Sequence, residues 1–164
     1  MLHTEEHYRL YFGKKATYYL GVVKDYDTGK SLVFNLFAFL FGLFWMLYRK
    51  MYSSIFVVVV LLFLEVIVEQ IIFNLINASL STETVINRIS LFIWAFIIGS
   101  FSNRLYVRQA DKKINKILDQ NLSEEETNRK IKKAGGVTFI PHLFLVLVLI
   151  TLIFLGKQGF FVGY

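Results

Sequence analysis

The sequence predicts an all-α integral membrane protein, with three transmembrane helices, one re-entrant or interfacial helix and amphipathic cytoplasmic helices. Three observations predict it. Hydrophobic residues make up 55% of the 164 positions, with 17 Phe among them, which is more apolar surface than a soluble domain of this length can hide. Apolar runs of helical length recur at 32–48, 53–76, 85–104 and 137–156. Lys and Arg are distributed very unevenly among the segments between those runs, as orientation in a bilayer requires.

Composition also excludes chemistry. The chain has no Cys, so disulfides, thiolate metal sites and thiol nucleophiles are absent together. Glu5, Glu6 and His7 stand where a secretory signal would have its apolar core, so insertion is expected to depend on the internal segments. The net charge of +6 is read as an orientation signal rather than a nucleic-acid footprint, and no nucleic-acid partner is expected.

Taken in order, residues 1–31 hold one amphipathic helix over 4–26. Tyr8, Tyr11, Phe12, Tyr19, Val22, Val23 and Tyr26 recur at helical spacing opposite Glu6, Arg9, Lys14 and Thr17, with Thr4 as N-cap. Gly13 and Gly21 interrupt the pattern. A Tyr-rich face suits headgroup depth, the protein's own cytoplasmic surface or a partner's groove. Asp27-Thr28-Gly29 reads as a turn. Gly29-Lys30-Ser31 is not the end of a phosphate-binding loop, because Lys24 stands where the first Gly belongs.

Segment 32–48 would be about 26 Å long as a helix, against roughly 30 Å of hydrocarbon, so length alone does not decide whether it crosses. Charge decides. If it enters and leaves on one face, 16 of the 18 basic residues lie inside; if it crosses, the best arrangement leaves only 11 there. The positive-inside rule selects the first, with Phe41-Gly42 as a protein-covered tip and the N-terminus cytoplasmic.

Residues 53–76 then form the first span, and Ser81-Thr82-Glu83-Thr84 an external loop. Asn77-Ala78-Ser79 matches a glycosylation sequon with no expected use. Residues 85–104 return inward, and the helix continues as the first arm of a cytoplasmic hairpin over 105–136. Along it Arg104, Arg108, Lys112 and Lys116 recur every fourth residue beside an apolar row of Tyr106, Ala110, Ile114 and Ile117. Asp119-Gln120-Asn121 closes that helix. Ser123 and Glu126 form a capping box for a second, which ends at Gly135-Gly136. Residues 137–156 are the third span, leaving 159–164 outside.

Phe34-Asn35, Ala38-Phe39, Phe41-Gly42, Trp45 and the uninterrupted Tyr48-Arg49-Lys50-Met51-Tyr52 resemble the signature of a bacterial membrane family known as domain of unknown function 2628. The resemblance covers residues 5–75 well, Tyr18-Tyr19 included, and the remainder loosely. It departs in Leu36-Phe37, where Trp-Ala is common, and in Leu43, where Pro often follows Phe-Gly. The resemblance implies a multi-pass protein of the bacterial inner membrane and carries over no catalytic residue.

Few polar groups fall inside the spans. Glu65 and Glu69, one turn apart on the first span, are costly there, at about 2.5–3.5 kcal/mol each on insertion scales. Either Arg88 pairs with Glu69 while Glu65 is protonated or hydrogen-bonded, or the two carboxylates form a proton or cation site. Gln70, Asn74 and Asn77 share another face and suit interhelical hydrogen bonds. His142, behind Pro141, reads as a packing residue. His3 and His7 lack a third ligand, so no metal and no cofactor are expected. No Ser, His and acid set has catalytic spacing.

Two function classes follow. The first is a non-enzymatic accessory, regulatory or protective protein whose partners are the bilayer, anionic lipids against the Arg104 to Lys116 stripe, or another membrane protein. The second is a small transporter or ion-conducting oligomer built on Glu65 and Glu69.

Overall fold

The computed structural model describes residues 3–157, with side chains described as far as Ile153, so the tail read as external at 159–164 lies outside the described residues. Seven α-helices follow one another: α1 Glu5–Phe12, α2 Ala16–Asp27, α3 Leu36–Tyr48, α4 Tyr52–Leu75, α5 Leu80–Leu118, α6 Glu124–Ala134 and α7 Ile140–Lys157. No strand occurs among the described residues.

The amphipathic segment over 4–26 is two helices rather than one. Thr4 caps α1 by accepting a hydrogen bond from the His7 amide, and α1 stops at Gly13, whose φ of 60° breaks the helix. A short 3₁₀ turn over Gly13–Lys15 redirects the chain into α2. Gly21 leaves α2 intact. The redirection lets both helices turn their aromatic faces to the same place. Tyr8, Tyr11, Phe12 and Tyr19 are all buried, and Tyr11, Phe12 and Tyr19 all pack on the Tyr106 ring of α5. The Tyr-rich face therefore covers the protein's own long helix.

Segment 32–48 begins as extended chain. Helix α3 starts after Asn35, whose side chain accepts from the Ala38 amide, and it is broken at Gly42, which has φ 50° and ψ −123°. That break falls at Phe41-Gly42 although Leu43 is not Pro, but the expected protein cover is missing, since Phe41 is exposed. A residue with a Cβ disfavours this φ, so glycine alone suffices for the kink. The start of α3 is held on α5 by backbone as well as side chain, through the Asn35 amide and the Gly99 carbonyl at 2.8 Å. Gly99 permits the approach, since a Cβ there would stand 2.8 Å from Phe34 and Phe39.

Helix α4 matches the expected first span to within a residue at each end, and α4 and α5 are both long and apolar enough to cross a membrane. The loop read as external is shorter than expected. Ser79 accepts from the Thr82 amide and caps α5, so 81–84 form the first turn of α5 rather than a loop. The connection shrinks to 76–79, with Asn77 at φ 49°. From Leu80 helix α5 runs without a break for 39 residues, about 58 Å, in line with its expected continuation beyond residue 104. The third apolar helix begins at Ile140 rather than 137, because the Thr138 amide bonds the Tyr48 carbonyl at 3.0 Å and holds the preceding chain extended. Its described apolar part, Ile140–Ile153, is shorter than a full crossing.

Two regions result. The head comprises α1, α2, the distal part of α5 and α6; the hairpin comprises α4 and the proximal part of α5. Ser123 caps α6 as expected, and α6 docks by its end. The Gly136 amide donates to the Tyr11 carbonyl at 2.8 Å, and Lys50 reaches across to the Gly135 and Lys133 carbonyls at 2.6 and 3.2 Å, satisfying carbonyls a helix end leaves open.

Candidate functional site

Glu65 and Glu69 do share a face of α4. Both are half-buried and line a cleft of about 300 Å³ between α4 and α5, with Gln70, Glu83, Asn87 and Ser90 also on its wall. The expected pairing of Glu69 with Arg88 is not found. Arg88 is exposed, and the Glu69 carboxylate instead accepts a hydrogen bond from the Ser90 hydroxyl at 2.5 Å. The reason is helical phase. Arg88 and Ser90 are two residues apart, roughly 200° around the axis, so only one of them can face α4. Gln70 donates to Asn74 within α4 at 3.5 Å, so these two amides bond along their own helix.

The stripe of Arg104, Arg108, Lys112 and Lys116 is exposed along its whole length. Arg104 contacts the Ser31 carbonyl at 3.4 Å, and among the described residues none of the four forms an ion pair. The neighbouring row is buried as expected, with Tyr106, Ala110 and Ile114 at zero exposure.

The most unusual group in the molecule is one the sequence reading used only as a border marker. Arg49, just past α3, is 94% buried by side-chain packing, at a relative exposure of 6%. Four aromatic rings surround its guanidinium, with centroids at 5.0 Å (Tyr19), 5.4 Å (Tyr106), 5.5 Å (Tyr48) and 6.0 Å (Trp45). No carboxylate pairs with it among the described residues, and its Nε has no hydrogen-bond partner. Each ring face attracts the cation by about 0.5–2 kcal/mol. Four rings offset much of the several kcal/mol that an unpaired buried ion costs, but none of them supplies a counter-charge.

Burial pushes the Tyr19 phenol above its ordinary range, while the nearby Arg49 charge pulls the other way; Tyr11 is pushed up by burial too. Both stay neutral, and Tyr19 serves as a wall of the cage. The cage is steadied from α5 by an amide clamp. Asn35 donates to Asn103 at 2.8 Å, and Asn103 donates to the Tyr18 hydroxyl at 2.9 Å and the Val33 carbonyl at 3.1 Å. Sequence reasoning missed both features, since Arg49 sits beside Lys50 like any flanking cation. The available signal was the density of aromatics around it in the chain, Trp45, Tyr48 and Tyr52.

Chemically, the hairpin cleft offers carboxylates and a hydroxyl, and the cage offers a fixed cation with spare donors. His3 and His7 join no group of three ligating side chains among the described residues. His142 packs among Phe44, Tyr48 and Phe139, with its Nε2 3.0 Å from the Phe44 carbonyl.

No curated protein and no solved structure matches the chain. The model of one family, described as a protein of unknown function (DUF2628), matches residues 13–111. That stretch holds Tyr19, Asn35, Arg49, Asn103 and Tyr106, so the cage and its clamp lie wholly inside it, and by this match the chain belongs to the DUF2628 family.

Proposed function

We propose that the protein is a non-enzymatic accessory of the bacterial inner membrane, with its N-terminus and head in the cytoplasm and α4, the proximal part of α5 and α7 anchoring it. The head then acts as a docking platform for another membrane component or for anionic headgroups. The observation that carries this reading is the stripe. Four basic side chains stand exposed, and without ion pairs among the described residues, on the helix that links hairpin to head, at the level where each contributes about 1 kcal/mol against an anionic surface. Changing all four to Gln is expected to release anionic lipid from the detergent-purified protein, with less lipid retained by the parent as salt rises. Unchanged lipid retention in native mass spectrometry would reduce the stripe to a topology signal.

The topology is tested with single Cys substitutions in this Cys-free chain. Ser31 is expected to stay protected from an impermeant thiol reagent applied outside, and labelling there sinks the arrangement. Partners are sought by affinity purification from native membranes in mild detergent.

A second reading, a small transporter or ion-conducting oligomer, is favoured by the hairpin cleft, where Glu65, Glu69 and Glu83 line one space. It requires that changing Glu65 and Glu69 to Gln abolish a measurable flux in proteoliposomes.

A further inference from the structure

Beside the aromatic cage lies a cleft of about 930 Å³, walled by α3, residues of the α1–α2 junction and α2, and the entry to α7. Its lining mixes two chemistries. Arg49 and Lys15 both line it, and no Asp or Glu does. Its walls include Phe37, Phe41, Phe44 and Phe139, each more than half exposed. The cleft is thus an apolar trough that also holds a buried cation lacking a counter-ion among the described residues. It shares no residue with the Arg104 to Lys116 stripe.

We propose that this cleft binds one anionic phospholipid, with the phosphate on Arg49 and Lys15 and an acyl chain along Phe37, Phe41 and Phe44. Arg49 lines the cleft and its Nε has no hydrogen-bond partner among the described residues, and a phosphate oxygen pair suits a guanidinium fork. Lys15 is exposed, on the short turn after α1, and supplies a second, mobile positive charge to a headgroup. Charge complementarity selects an anionic head, and the apolar trough selects a chain rather than a soluble phosphate. The proposal rests on the membrane placement given above, which brings this end of α3 to the inner headgroup layer.

Trp45 forms part of both cage and cleft, and the chain has only two Trp. The full-length protein carrying Trp94→Phe therefore reports on the cleft through one fluorophore. In detergent, phosphatidylglycerol brominated near the head of its chain is expected to quench Trp45 saturably, with about tenfold preference over brominated phosphatidylcholine. Lys15→Gln, on an exposed turn, should fold normally and lose several-fold of that preference. Arg49→Lys should keep the cation and lose more of the preference, because a point charge does not reproduce the fork. Equal quenching by the two lipids overturns the proposal, as does a preference that Lys15→Gln leaves unchanged. Tighter quenching by a brominated fatty acid than by phosphatidylglycerol would assign the cleft to free carboxylates and overturn the phospholipid. Labelling of Ser31 from outside together with selective quenching overturns the topology and keeps the site; protected Ser31 with unselective quenching does the reverse.

Discussion

The head and the hairpin share α5, yet they place their side chains by opposite rules. In the head, Tyr11, Tyr106, Ala110, Ile114 and Ile131 have no exposure at all, and Thr4 and Ser123 cap α1 and α6. In the hairpin, no residue of the most apolar stretch of α4 is buried, and the two helices face each other across a cleft of mixed lining that holds Glu65, Glu69 and Ser90. The contrast separates two kinds of stabilisation. In the head, apolar burial of about 25 cal/mol per Å² drives association and is felt at every truncated side chain. In the hairpin, exposed Val, Leu, Ile and Phe side chains have low free energy only in lipid or against another protein, and contacts between helices are made by polar groups.

The largest expected effect is in the head. Tyr106 touches Tyr11, Phe12, Tyr19 and Trp45 and forms one wall around Arg49. Tyr106→Ala should cost about 3–5 kcal/mol, the usual range for an aromatic-to-Ala change in a core. Leu64→Ala on the exposed face of α4 should stay within about 0.5 kcal/mol. Thermal melts in one detergent check both, and equal losses at the two positions would dissolve the distinction between the regions.

A smaller effect tests how the head is closed. A Cβ at Gly135 would lie 2.1 Å from the Tyr11 carbonyl oxygen, and that obstacle is backbone. Gly135→Ala must therefore push α6 off α1, at about 3 kcal/mol, the upper end for overpacking. At Gly99 the nearest atoms stand farther off, at 2.8 Å; the Phe34 ring can rotate away but the Phe39 Cβ moves only with α3, so Gly99→Ala should cost somewhat less, about 2 kcal/mol. Hydrogen exchange at the Gly136 amide, bonded to Tyr11, should accelerate in the first variant only.

Much of this arrangement is legible before any coordinates. The boundaries of α4, the caps at Thr4 and Ser123, the unbroken run of α5 and the buried row Tyr106 to Ile117 follow from local rules of period and capping. What is not legible depends on residues distant in the chain. Asn35 and Asn103 are 68 positions apart, and nothing local distinguishes their clamp from two polar residues at the ends of apolar segments. Arg49 has its cage built by Tyr19, Trp45, Tyr48 and Tyr106, from three parts of the chain. Gly13 and Gly21 both interrupt the sequence pattern and only Gly13 breaks the helix, which local rules do not decide because the Tyr pattern continues past Gly13 in nearly correct helical phase. Ser79 capping α5 was hidden by a Ser-Thr-rich stretch that reads as a loop until one hydroxyl is seen to accept from Thr82.

The smallest expected effect concerns the hairpin and decides what joins its helices. Ser90 donates to Glu69 at 2.5 Å while Arg88 faces away, so the coupling energy should belong to the hydroxyl and not to the charge. In a double-mutant cycle of Glu69→Ala with Ser90→Ala, the interaction term should be about 0.5–1.5 kcal/mol, the range of a single hydrogen bond. The parallel cycle with Arg88→Gln should give a term within about 0.3 kcal/mol of zero. A term above about 1 kcal/mol for Arg88 would mean that the hairpin rotates in its own environment until the ion pair forms, because an arginine facing away from Glu69 has no other route to such coupling. The cleft would then close around a salt bridge, and the hairpin would join the head as a region held by its own interior rather than by its surroundings.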